Sequence, residues 1–174
     1  MASNEEILPV VDEDGSVIFQ APRSQCHDGT GRLLHPVVHL HIIDDLGRIA
    51  LQKRSLTKKI QPGRWDTVVG GHVSFGETIP QSLAREVKEE TGLTEFTPEL
   101  LQKYIFTSPV ERELVYSFVC RVHRDTNLRV EPGEAEEIKF WTADEIRSNI
   151  GSGIFTPNFE KEFNDLILPF LNDK

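Results

Sequence analysis

Three glutamates crowd the end of one short stretch, Arg85-Glu-Val-Lys-Glu-Glu-Thr-Gly-Leu93. It reads as the close of a helix stopped by Gly92, with Glu86, Glu89 and Glu90 in the final turns. The negative end of a helix macrodipole penalises each acid by a few tenths of a kcal/mol, and carboxylates at i,i+3 and i,i+4 repel by a similar amount. A charge run usually marks a solvated face. Here all three acids project to one side against dipole and mutual repulsion, while Ile79, Leu83 and Val87 anchor the other. Such a local conflict is expected where function overrides stability. A divalent cation resolves it, because hard Mg2+ or Mn2+ binds through carboxylate oxygens.

Those acids need a helix, and the helix needs a sheet to rest on. Thr78 and Gln81 have capping-box spacing, and Pro80 lies in the first turn, where its missing N–H matters little. Ile79, Leu83, Ala84 and Val87 form the buried stripe, and Gly92 is the C-terminal stop. Before it, Val10–Val11 and Val17–Phe19 flank Asp12-Glu-Asp-Gly15 as a hairpin. Leu34 to Ile43 is a long apolar strand that turns through Asp44-Asp-Leu-Gly47 into a second strand, Ile49 to Arg54. Residues 55–66 form a basic loop ending at Trp65, followed by a short strand at Thr67–Val69. After the helix, Leu114 to Val122 alternates like a strand and Lys139–Trp141 is another, leading into a Thr142-x-x-Glu145 capping box. Phe159, Phe163, Leu166, Ile167 and Phe170 mark an amphipathic C-terminal helix. Strands interleaved with helices predict an α/β class, with helices on both faces of the sheet.

At 174 residues the chain suits one domain spanning 1–174, and no repeat or linker divides it. With 19 Lys+Arg against 28 Asp+Glu the formal charge is −9, which argues against nucleic-acid polymers and anionic membranes as partners. Cys26 and Cys120 stand in no metal or redox spacing, which suits a reducing compartment. The N-terminal residues contain no basic leader or long apolar segment, so a cytoplasmic location is the expectation.

Gly71, Glu77 and the stretch from Arg85 to Leu93 together resemble the Nudix box, G-x5-E-x7-R-E-U-x-E-E-x-G-U, at every specified position. The resemblance implies a Nudix-type α/β/α sandwich with a mixed sheet. It also implies Mg2+- or Mn2+-dependent hydrolysis of a nucleoside diphosphate derivative or another small organic diphosphate. By the family pattern Glu86 and Glu90 are metal ligands, helped by the Gly71 carbonyl, and Glu89 is a further ligand or the base that activates water. Arg85 orients the glutamates and Glu77 braces the loop. A homodimer is common in the family.

Outside the box the chain resembles the isopentenyl diphosphate isomerase branch of the superfamily. His27, His35, His72, Glu111 and Glu113 carry that likeness, together with GRLLHPVV, Gln52-Lys-Arg54, Lys58-Lys59 and Pro62-Gly-Arg-Trp65. In the isomerases the equivalent histidines and glutamates hold a divalent metal. By strand alternation Glu111 and Glu113 point to one face, and three imidazoles with two carboxylates can ligate a transition metal. Arg54 and Lys58, with Lys59 beside them, become diphosphate-contacting cations. His39 and His41 share a face with His35 and are given no role.

The departure is at Gly70, where the isomerases have a catalytic cysteine immediately before Gly-His. Without that thiol, proton transfer at carbon lacks one of its two acid–base partners, and the complete Nudix box also points to hydrolysis. Glu134, Glu136 or Glu137, in an acidic loop at residues 131–137, could supply an additional glutamate. The leading expectation is therefore a diphosphate hydrolase, followed by an isopentenyl diphosphate isomerase and then a non-catalytic nucleotide or metabolite sensor. Substrate selectivity is expected from residues 20–35, 55–66, 94–112 and the C-terminal helix.

Overall fold

The computed structural model describes residues 4–29 and 32–173; Gly31 of the GRLLHPVV stretch lies outside them. A hairpin of β1 (Ile7–Val11) and β2 (Val17–Pro22) comes first, closed by a turn in which Asp12 Oδ1 accepts the Asp14 and Ser16 N–H groups. The short helix α1 (Arg23–Cys26) follows, and then β3 (Leu34–Asp44), all eleven residues of which are buried.

The main sheet has seven strands. Its path is β5 (Trp65–Thr67), β4 (Ile49–Arg54), β3, β8 (Arg112–Val122) and β7 (Glu99–Thr107), with β6 (Val69–His72) on β3 and β9 (Ala135–Trp141) on β4. The β3–β8 pairing is parallel and the others are antiparallel, so the sheet is mixed. Side chains alternate across a strand, and here that alternation separates two cores. Val38, Leu40, Ile42, Ala50 and Cys120 face helix α2 (Ile79–Thr91) through Leu83 and Val87. Ile43, Ile49, Leu51 and Val119 face the other side, against Ile146 of α3 (Ala143–Asn149) and Phe159 of α4 (Pro157–Glu162). Phe163 and Ile167, in the π-turn Phe163–Ile167, close that layer, and α5 (Leu168–Asn172) ends it. The result is a sheet with helices on both faces.

One irregularity creates the site. β3 and β4 pair only at Ile43 and Ile49, beside their turn. Beyond that point they fork: β6 takes β3 from Val37 to Leu40, and β5 takes the facing edge of β4 from Leu51 to Lys53, while β9 covers the outer edge of β4. A cleft of about 1030 Å³ is lined by residues from both sides of the fork, including Gly70, Gly71, Gln52 and Arg54.

Four expectations change in detail. The Thr67–Val69 strand is two strands that divide at Val68. Much of 94–112, to which the sequence assigned no element, is the exposed strand β7, which pairs with β8 through a register shift between Leu100 and Gln102. β9 starts at Ala135, so Glu136 and Glu137 lie in a strand and only Glu134 remains in the loop before it. The C-terminal helix is interrupted by the π-turn.

Candidate metal centres in the forked cleft

Helix α2 begins with the expected capping box: Thr78 Oγ1 accepts the Gln81 N–H at 3.2 Å, and Gln81 Oε1 accepts the Thr78 N–H at 2.9 Å. It ends at Gly92, whose φ of 76° is the left-handed conformation that glycine adopts without penalty. Between these caps the three acids differ in exposure. Glu89 is open to solvent, Glu86 is mostly covered, and Glu90 is buried and accepts the Gly70 N–H at 2.9 Å. Burial, and for Glu90 the nearby Glu86 carboxylate, raises the pKa of both inner acids, that of Glu90 well above its usual value. Two buried acids that resist ionisation side by side fit a site for a cation.

Gly71 stands against them. A Cβ at this position would overlap the Glu86 carboxyl, so only glycine lets the β6 backbone approach so closely. Arg85 ties the surroundings together. Its Nε donates to both Glu77 oxygens at 3.1 Å, and its Nη1 donates to Glu86 at 2.7 Å and Glu89 at 3.4 Å. Its Nη2 donates to the His72 carbonyl at 3.2 Å, which links the glutamate helix to the next group of ligands.

That group is histidine-rich. Ligand atoms of His27, His35, His72 and Glu113 all lie within 4.8 Å of one another, and the three rings have centroids 5.0–5.5 Å apart. Glu111 is one step out, 3.0 Å from His27 Nε2. The Nδ1 atoms of His27 and His35 bond to the carbonyls of Arg23 and Leu33, at 2.8 and 2.9 Å, which fixes ring orientation as backbone partners of metal-ligating histidines do. His35 Nε2 is buried without a hydrogen-bond partner among the described residues. Burial lowers the pKa of His35 and pushes that of His72 down to about 2, keeping both rings neutral and able to ligate. Burial and the Glu111 charge raise Glu113 to about 7, whereas the Glu111 hydrogen bond raises His27. An orphaned imidazole nitrogen facing two more imidazoles and a carboxylate fits a transition-metal ion.

Arg54 and Lys58 line the same cleft, but each already holds an acid: Arg54 meets Asp66 at 3.3 Å and Lys58 meets Glu134 at 2.7 Å. Lys59 does not line it. Glu134 lines the cleft, whereas Glu136 accepts the Leu56 N–H and Glu137 lies in β9 opposite Lys53, away from the lining. Cys26 and Cys120 are buried free thiols, and burial is the leading reason that both pKa values are raised.

Sequence reasoning missed one cluster. His39 Nδ1 and His41 Nε2 flank the buried Glu162 carboxylate at 3.0 and 2.7 Å, and Tyr104 donates its hydroxyl hydrogen to Glu162 at 2.7 Å. A signal existed: Glu162 sits on the apolar stripe of Phe159 and Phe163, where an acid is out of place.

The NUDIX domain family model matches residues 33–159. An uncharacterized Nudix hydrolase of Streptomyces coelicolor is 30% identical over 159 residues, covering 91% of this chain and 86% of the relative. A protein of Streptomyces griseus named isopentenyl-diphosphate Delta-isomerase is 32% identical over 162 residues, with 88% and 79% covered. A crystal structure from Deinococcus radiodurans superposes with a TM-score of 0.76 at 21% identity, over 92% of this chain and 99% of that one, and shares the fold. No helix among the described residues is long and apolar enough to cross a membrane.

Proposed function

Since the chain belongs to the NUDIX domain family and is a Nudix hydrolase, we propose that it cleaves the diphosphate linkage of a nucleoside diphosphate derivative or another small organic diphosphate. Water attacks phosphorus, and Glu86 and Glu90 would hold the Mg2+ or Mn2+ ion. The observation that carries this reading is the pair of covered acids, Glu86 and Glu90, resisting ionisation beside the bare backbone of Gly70 and Gly71. A divalent ion bound there neutralises charge developing on the phosphates and lowers the pKa of water.

The chain's own groups do the positioning. Arg85 holds Glu86 and Glu89 in orientation while Glu77 holds Arg85. Glu89 is exposed, within reach of a water, and serves as a further ligand or as the base. Arg54 and Lys58 turn from Asp66 and Glu134 towards the substrate phosphates. His27, His35, His72 and Glu113, with Glu111 behind them, hold a second ion in the same cleft.

A screen of diphosphates with Mg2+ and with Mn2+, read out as released phosphate or monophosphate, tests the reaction. Glu90→Gln is expected to lower turnover roughly a hundredfold or more while leaving the fold intact, since the ion supplies several kcal/mol at the transition state. Full activity in that variant removes Glu90 from the site.

The histidine cluster favours a second reading, an isopentenyl diphosphate isomerase, because the relative from Streptomyces griseus bears that name. Gly70, where the isomerases have a thiol, weighs against it. Incubation with isopentenyl diphosphate separates the two: dimethylallyl diphosphate supports isomerisation, and phosphate or monophosphate supports hydrolysis.

A further inference from the structure

Resting on the diphosphate reading above, we propose that His39 is a substrate-contacting residue: its Nε2 donates a hydrogen bond to a phosphoryl oxygen, and buried Glu162 is the positioning residue that holds the ring. The contrast between the two histidines on Glu162 is the first support. His41 is wholly buried, and its second nitrogen, Nδ1, has no partner among the described residues. His39 lies two residues along the same strand face, keeps 11% of its side chain exposed, and lines the cleft. Glu162 binds it at Nδ1, which leaves Nε2 on the far edge of the ring.

The neighbouring strand leaves that edge uncovered. The strand partner of His39 is Gly70, and a Cβ there would sit 3.5 Å from Cδ2 and 3.8 Å from Nε2. A bare backbone at this point keeps the ring edge open to the cleft beside the residue whose N–H binds Glu90.

Charge is the third support. Among the described residues, the four arginines and lysines lining the cleft all carry acids at their charged ends: Arg23 has Glu6, Arg54 has Asp66, Lys58 has Glu134, and Arg85 has Glu77 and Glu86. His39 keeps its acid behind the ring instead. Although burial opposes the charge, Glu162 raises its pKa to about 9, so the ring carries protons on both nitrogens near neutral pH. Burying a carboxylate that is 1% exposed is expensive unless its partners do more than fill space.

The test uses the full chain with Mg2+ and methylenediphosphonate, a non-hydrolysable diphosphate, in titration calorimetry. An asparagine amide overlays Nδ1, so His39→Asn keeps the Glu162 bond and deletes the cleft-facing donor. It should bind the probe roughly ten- to a hundredfold more weakly, as expected for loss of one charge-assisted hydrogen bond. His39→Gln, whose amide overlays Nε2, should recover part of that loss. Gly70→Ala, which covers the ring edge while fitting the available space, should weaken binding without unfolding the chain. The wild-type Nε2 nitrogen resonance should move on adding the probe, a readout that needs no variant. Undiminished affinity in His39→Asn, with an unmoved Nε2 resonance and an active wild type, overturns this inference and leaves the hydrolase reading standing. A wild type that neither binds the probe nor cleaves any diphosphate overturns both.

Discussion

At Gly71 the Glu86 carboxyl takes the space a side chain would need. An alanine there must push Glu86 aside or bend β6, and overpacking of that kind typically costs about 1–3 kcal/mol. Gly71→Ala is therefore expected to lower the urea midpoint and to reduce metal-dependent turnover by roughly a hundredfold or more, since a displaced ligand weakens the ion's several-kcal/mol contribution. Gly70→Ala is the stability control, because its methyl meets His39 at ordinary contact distance. If Gly71→Ala matches Gly70→Ala in midpoint and the wild type in turnover, the close approach of β6 to Glu86 has no role. At this scale the box was legible because its members lie close in sequence, within one helix and the strand end and loop before it. The His27, His35 and His72 grouping was legible only through a family likeness, since nothing in their spacing brings three strand and loop positions together. Glu162 stood out only as an acid on an apolar stripe; its partner was hidden for the same reason, since 123 residues separate it from His39.

The pairing of β3 with α4 has a pH signature of its own. The folded pKa of His39 is raised to about 9 from 6.5, so its contribution to stability is full below about pH 6.5 and is lost as pH rises towards 9. Glu162 is held well below 4.5 by its histidine partners in spite of burial, so its contribution is present above that value and disappears as pH falls. The urea midpoint is expected to decline between pH 6.5 and 9 in the wild type, and less steeply in His39→Gln. Parallel declines would show that His39 does not titrate with folding. Comparing the two proteins matters because Glu90 and Glu113 also have raised pKa values and add their own slopes. Elements such as β3, α2 and the first hairpin were legible because period and caps agree. Strand β7 was not: the register shift between Leu100 and Gln102 breaks its alternation, and its exposed pattern resembles a loop. β9 was read short because Glu136 and Glu137 look like solvent-exposed loop residues, and both are indeed exposed although they lie on a strand.

Over the whole molecule, the fork between β3 and β4 concentrates acids and neutral imidazoles in one cleft, and that arrangement is unstable to ionisation without a cation. Between pH 4.5 and their raised folded values, Glu90 and Glu113 hold protons that the unfolded chain has already released. Stability of the metal-free protein therefore falls as pH rises through that interval. A cation binds only the ionised acids, so its stabilising effect must grow over the same range. At a hundredfold excess over the dissociation constant, binding to the folded state adds about 2.7 kcal/mol, or roughly 5–10 °C of melting temperature for a chain of this size. Mg2+ or Mn2+ is thus expected to raise the melting temperature more at pH 8 than at pH 5.5. A chelator should reverse the rise, and Glu90→Gln should reduce it. The variant should also be the more stable protein without metal, because its neutral amide never ionises in that buried position. A shift that is equal at both pH values, or unchanged in Glu90→Gln, would place the ion away from these acids and remove the link between the forked sheet and its chemistry.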